Sequence, residues 1–156
     1  MSSYLDVKYL DLYLRGFTST IFALSGAVKA SGALTEKMKP FGYPKYFPEA
    51  LGLFEVILAV VNVGTEIGLG PQAAASNVWV QRIISVIMGG ALYQHKLAED
   101  GGYAVPAILL AFTAVVPGLR GESGGLPVSV GTGAALGLAG WYICSLIAKK
   151  PKTKSK

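Results

Sequence analysis

Apolar residues run along this chain in long blocks separated by short polar stretches. Five blocks stand out, at residues 10–33, 48–68, 75–95, 103–119 and 128–148. Each has about the length at which an α-helix crosses the hydrocarbon of a bilayer, roughly 17–25 residues. The second block, PEALGLFEVILAVVNVGTEIG, organises the rest because Glu55, Asn62 and Glu66 lie inside it. A helix turns about 100° per residue, so Asn62 falls about 20° to one side of Glu55 and Glu66 about 20° to the other. The polar groups share one stripe, and Leu, Val, Ile and Ala cover the remaining faces. A carboxylate at mid-bilayer costs about 2.5–3.5 kcal/mol on insertion scales, so it faces a protein interior and a partner.

The other blocks carry related patterns. In the first, Arg15 and Lys29 share a face near opposite ends and read as snorkelling cations. Lys29 is flanked by Ser25, Gly26 and Ser31, small residues that let helices approach closely. The loop of residues 34–47 is broken by Pro40, Gly42 and Pro44. Its Phe41, Tyr43, Tyr46 and Phe47 suit an interfacial aromatic belt, with Lys37, Lys39 and Lys45 at the headgroups. In the third block Asn77 reads as the N-cap and Trp79 as an interfacial residue. Gln81, Ser85, Leu92 and His95 recur there at helical spacing, beside Arg82, Gly89 and Tyr93. One side of that helix is therefore polar or small, as in a helix lining a bundle interior. Pro106 opens the fourth block, and Pro117 ends or kinks it. Gly133, Gly137, Gly140 and Cys144 form one stripe of the fifth.

These patterns predict an all-α, polytopic membrane helical bundle. A single transmembrane domain covers residues 1–148, and a basic tail follows at 149–156. Five spans put the termini on opposite sides. With the lysine-rich tail in the cytoplasm, the loop carrying Lys37, Lys39 and Lys45 falls there too, as the positive-inside rule requires.

Composition agrees. Of 156 residues, 52% are hydrophobic and only 15% charged, with a mean hydropathy of +0.48; soluble domains average about 25% charged. The net charge is +5, and the five tail lysines (Lys149, Lys150, Lys152, Lys154, Lys156) account for that excess. A cluster beside an apolar block reads as an anchor at anionic headgroups and not as a nucleic-acid surface. Cys144 is the single cysteine, which excludes an intramolecular disulfide and a CxxC redox or metal motif. The first block lacks a small-x-small cleavage site at a suitable place, so it is expected to stay in the protein.

Several features then occur in a set order. Ser25-Gly26-Ala27-Val28-Lys29 ends the first span, and a loop with Phe41-Gly42-Tyr43-Pro44 follows. Gly52-Leu53-Phe54-Glu55 opens the second span, and Tyr93-Gln94-His95 ends the third. Glu99 and Asp100 form an acidic turn, and Pro106-Ala107 begins the fourth span. Over about residues 10–119 this resembles the DoxX-like membrane proteins, most clearly in G-x-x-K followed by G-x-x-E. The resemblance implies a four-helix membrane bundle with Lys29, Glu55 and His95 at its polar centre. Roles linked to the family include quinone-coupled sulfur oxidation, membrane redox complexes and receptor assembly in the endoplasmic reticulum. This chain departs from the pattern by its fifth span and lysine tail.

The candidate site is a buried polar cluster of Lys29, Glu55, Asn62, Gln81, Ser85 and His95. Glu55 and Lys29 either neutralise each other and fix helix register, or form a polar ligand or proton site. His95, at a helix end beside Lys96, reads as an interfacial hydrogen-bonding group, since no second His or Cys accompanies it as a metal ligand. Glu66 and Arg82, at the ends of neighbouring spans, are expected to form an ion pair. Lys154 and Lys152, third and fifth from the end, are similar to dilysine retrieval signals of endoplasmic-reticulum membrane proteins. No nucleophile–base pair, redox motif or phosphate loop is present. Two functions follow from these readings. One is a non-enzymatic protein that binds a lipid or a membrane-protein partner; the other is a membrane subunit of an oxidoreductase, with quinone held near Glu55, Lys29 and His95.

Overall fold

A computed structural model describes residues 2–64, 66–68, 72–121 and 124–149. Helix α1 (Ser2–Ala30) is followed by short α2 (Thr35–Met38) and a 3-10 turn (Lys39–Phe41). Then come α3 (Phe47–Asn62), α4 (Gln72–Ala98), α5 (Ala104–Leu119) and α6 (Leu126–Ile147). Among the described residues every regular element is helical.

The five apolar blocks correspond to the five long helices, with displaced ends. Gly32, at φ +78°, turns the chain away from α1, a backbone conformation that a residue with a Cβ adopts only under strain. Proline sits in the first turn of both α3 and α6, where a missing N–H costs nothing. The second block departs most from expectation. Helix α3 stops at Asn62, and Glu66 lies in the turn beyond it. Helix α4 starts at Gln72, so Asn77 is no N-cap but a buried residue inside the helix. Pro117 is accommodated within α5, which ends at Leu119.

Helix α1 packs on α3, α3 on α4, α4 on α5, and α5 back on α1. These four close a ring, and α6 lies along the outer groove between α4 and α5. The glycine stripe makes that docking close. A Cβ on Gly140 would collide with the Val86 carbonyl, and one on Gly89 with the Gly137 carbonyl. A Cβ on Gly133 would likewise stand 2.5 Å from the Ala114 Cβ of α5.

Polarity is distributed inside out. Glu55, Asn62, Gln81, Ser85, Thr113 and Ser129 are each at most 1% exposed. Large apolar side chains such as Leu53, Ile57, Leu138 and Leu146 are instead more than half exposed. Helix α6, with 22 residues, is long and apolar enough to cross a membrane, yet only 17% of its apolar window is buried inside the protein. Helix α5 is apolar but shorter. A central apolar layer of Phe22, Leu58, Ile84, Met88 and Leu109 fills the ring. Along α1 that layer falls between Ser19 and Ser25, and along α3 between Asn62 and Glu55. It therefore divides the buried polar residues into two groups, one toward each end of the bundle.

Candidate functional site

The first group lies where α1 crosses α3. A Cβ on Gly26 would stand 2.6 Å from the Gly52 carbonyl oxygen, and one on Gly52 would stand 2.5 Å from the Gly26 carbonyl oxygen. The two glycines therefore set the contact. Each is followed three residues later by a charge, about one helical turn on and on the same side. The charges meet: Lys29 Nζ is 2.5 Å from Glu55 Oε1. Ser25 joins them, donating to Glu55 Oε2 at 3.2 Å and accepting from Lys29 Nζ at 3.0 Å. Glu55 is buried, whereas the Lys29 side chain retains 18% exposure.

This ion pair borders a cavity of about 690 Å³. Most of its wall is apolar, with Phe22, Met88 and Leu109 at depth and Phe41 and Phe47 toward the end covered by α2 and the 3-10 turn. Ser25, Lys29, Glu55, Gln94, His95 and Asp100 supply polar wall, together with Lys37 and Tyr43. His95 Nδ1 is 2.7 Å from Asp100 Oδ1, and the same oxygen accepts the Gly102 N–H at 2.9 Å. The Gly102 N–H and then His95 hold the Asp100 carboxyl below its ordinary range. Tyr43 donates to Gln94 Oε1 at 2.8 Å. Burial, with Cys144 alongside, pushes the Tyr43 phenol well above its ordinary value, so it stays a neutral donor. The cover is tied to the end of α6 by the Lys149 N–H, which donates to the Phe41 carbonyl at 2.8 Å.

The second group is separate from this cavity. Arg15 donates to Asp11 at 3.0–3.2 Å and to the Asn62 carbonyl at 2.8 Å. That last bond satisfies a carbonyl at the end of α3, which has no partner within the helix. Arg15 also pairs with Glu66. It is 3% exposed, so it is no snorkelling cation. Asn62 donates to Ser19 at 2.9 Å and accepts from Gln81, and Ser85 shares a hydrogen bond of 2.9 Å with Thr113.

The expected pairing of Glu66 with Arg82 is thus replaced by Arg15–Glu66. Arg82 instead donates to the Ser129 carbonyl and hydroxyl at 2.9 and 3.2 Å. Ser129 in turn donates to the Ala114 carbonyl at 2.6 Å, fastening α4, α5 and α6 together. The end of α3 at Asn62 explains the exchange, because it releases Glu66 from the helical stripe.

Of the six residues grouped from the sequence, Lys29, Glu55 and His95 border the cavity. Asn62, Gln81 and Ser85 belong to the other polar group. Lys152 and Lys154 lie outside the described residues. Sequence reasoning missed Asp11, Ser19, Thr113 and Ser129. Only Asp11 carried a signal, its spacing of four from Arg15. Among the described residues no three His, Cys, Asp or Glu side chains converge as metal ligands. The chain matches no protein-family model, and no curated protein or solved structure matches it.

Proposed function

We propose that this chain is a multi-pass membrane protein of the DoxX-like kind that binds an amphiphile inside its helical bundle without catalysing a reaction. The observation that carries the reading is the cavity of about 690 Å³ headed by a buried Lys29–Glu55 pair. It lies in a protein that buries polar side chains such as Glu55, Asn62 and Gln81 and leaves large apolar ones such as Leu53, Leu138 and Leu146 exposed. Such a surface is unfavourable in water, where contiguous apolar patches are small, and favourable in hydrocarbon. Ligand pockets of this size, with few polar groups on an apolar wall, hold molecules of drug or lipid-chain dimensions.

The cavity lies toward the ends of α1 and α4, the starts of α3 and α5, and the loop bearing Lys37, Lys39 and Lys45. Positive-inside orientation assigns that end, with the basic tail, to the cytoplasm. A membrane-protein partner fits the same reading. Purification in mild detergent followed by native mass spectrometry tests the central claim. A bound lipid or amphiphile is expected; a bare chain under conditions that preserve the fold overturns it.

The second reading is a quinone-binding subunit of an oxidoreductase. Its motive is that Lys29 and His95 offer hydrogen-bonding groups on one apolar cavity, as a quinone head requires. Quinol oxidation by the purified protein, and its loss in Glu55→Gln, would favour this reading over the first. Equal behaviour of the two proteins removes a chemical role for Glu55.

A further inference from the structure

We infer that the ligand of this cavity is a single-chain amphiphile with an uncharged head bearing both a hydroxyl and a carbonyl, as a monoacylglycerol does. The inference rests on the amphiphile-binding reading and narrows it.

Size is the first argument. A cavity of about 690 Å³ is of the size that holds a molecule of drug or lipid-chain dimensions, and one acyl chain with a small head is such a molecule.

Charge is the second argument. On the cavity wall Lys29, Glu55 and Asp100 are already matched. Lys29 is paired with Glu55. Asp100 accepts from His95 and from the Gly102 N–H. Lys37 borders the cavity but is itself exposed, so water and salt screen it. An anionic head drawn inside would bring a charge with no buried counter-charge, and a buried unpaired charge is costly.

The remaining hydrogen-bonding capacity of His95 and Gln94 is neutral and of both kinds. The Asp100 carboxylate accepts, so His95 Nδ1 carries a proton toward it; in the neutral tautomer Nε2 is then an acceptor. Because Gln94 Oε1 accepts from Tyr43, its amide nitrogen is left as a donor. A hydroxyl directed at His95 Nε2 and a carbonyl directed at Gln94 Nε2 complete both groups. The acyl chain then runs inward along Phe22, Met88 and Leu109.

Cys144 is the one cysteine of the chain and lines this cavity, so maleimide labelling reports occupancy at a single position. The full chain in dioleoylphosphatidylcholine vesicles is labelled in the presence of monoolein or of 1-oleoyl lysophosphatidate, which differ by the phosphate alone. Monoolein is expected to slow labelling at a concentration at least about tenfold lower than lysophosphatidate. Replacing both head contacts, His95→Ala with Gln94→Ala, is expected to raise the monoolein concentration needed by about tenfold, the scale of two neutral hydrogen bonds. Equal or better protection by lysophosphatidate overturns the inference while leaving an amphiphile site in place. So does an unchanged monoolein response in the double variant. Absence of protection by either compound removes the amphiphile-binding reading as well.

Discussion

Lys29 Nζ and Glu55 Oε1 stand 2.5 Å apart, one turn beyond the point where Gly26 and Gly52 bring α1 and α3 into backbone contact. The glycines place the charges, and the charges then lock the register of the crossing. Glu55→Gln leaves the Lys29 ammonium largely buried without its counter-charge. Removing one partner of a buried pair costs about 3–5 kcal/mol, and the partial exposure of Lys29 puts the expected loss toward the lower figure. The double variant Lys29→Gln/Glu55→Gln should recover much of it. Thermal or denaturant unfolding in detergent micelles measures the cycle; a Glu55→Gln protein as stable as the parent would remove the structural role of the pair.

Arg15 holds the opposite polar group together, and its two carboxylates differ in burial. The Asp11 side chain is 10% exposed, whereas the Glu66 side chain is 32% exposed. Arg15→Met strands Asp11 and the Asn62 carbonyl and is expected to cost about 3–5 kcal/mol. Glu66→Gln removes only a partner in contact with solvent and is expected to cost about 1 kcal/mol or less. The same unfolding measurement ranks the two, and a larger effect of Glu66→Gln would contradict the geometry.

What was legible in the sequence follows from periodicity, which reports faces and not depth. Glu55 and Asn62 do share an inward face of α3, as the helical stripe requires. Nothing in that stripe indicates that Phe22, Leu58 and Ile84 from three helices meet between them and split the polar residues into two groups. The glycine stripe of the last span was readable because small residues at helical spacing have one main use, close helix contact. Glu66 was misplaced because apolar residues continue past Asn62 although the helix does not. The His95–Asp100 contact depends on a tight turn in which Glu99 adopts φ +53°, a backbone state that side-chain patterns do not encode. Arg15 lies in the interior because the end of α3 brings the Asn62 carbonyl and Glu66 beside it, a long-range contact that the pattern of α1 does not encode.

The docking of α6 leads to a contrast between two glycines. A Cβ on Gly89 meets the Gly137 backbone, which has no rotamer to yield, whereas a Cβ on Gly131 meets nothing within 4 Å. Gly89→Ala is therefore expected to push α6 off α4 and cost about 1–3 kcal/mol, the scale of overpacking. Gly131→Ala is expected to gain about 0.5–1 kcal/mol, because a helix-interior glycine is the less favourable residue. Faster maleimide labelling of Cys144 in Gly89→Ala, and unchanged labelling in Gly131→Ala, would show that the loss arises at this interface. Equal behaviour of the two variants would contradict the close approach.

The turn after α4 carries a pH dependence with a defined sign. Asp100 is held below the ordinary carboxylate range, first by the Gly102 N–H and then by His95. A carboxyl whose folded pKa is depressed contributes order that is fully present above its unfolded value, and that order is lost as pH falls through the lower folded value. The unfolded reference here is 3.8. Amide hydrogen exchange at Gly102, after correction for its intrinsic pH dependence, is therefore expected to stay protected through pH 5 and to lose protection below about 3.8. Asp100→Asn removes the charge that both donors favour, so protection at Gly102 should be weaker at neutral pH and flat across the acid range. Protection in the parent that vanished near neutral pH instead would assign the order of this turn to the protonation of His95 and not to the Asp100 carboxylate.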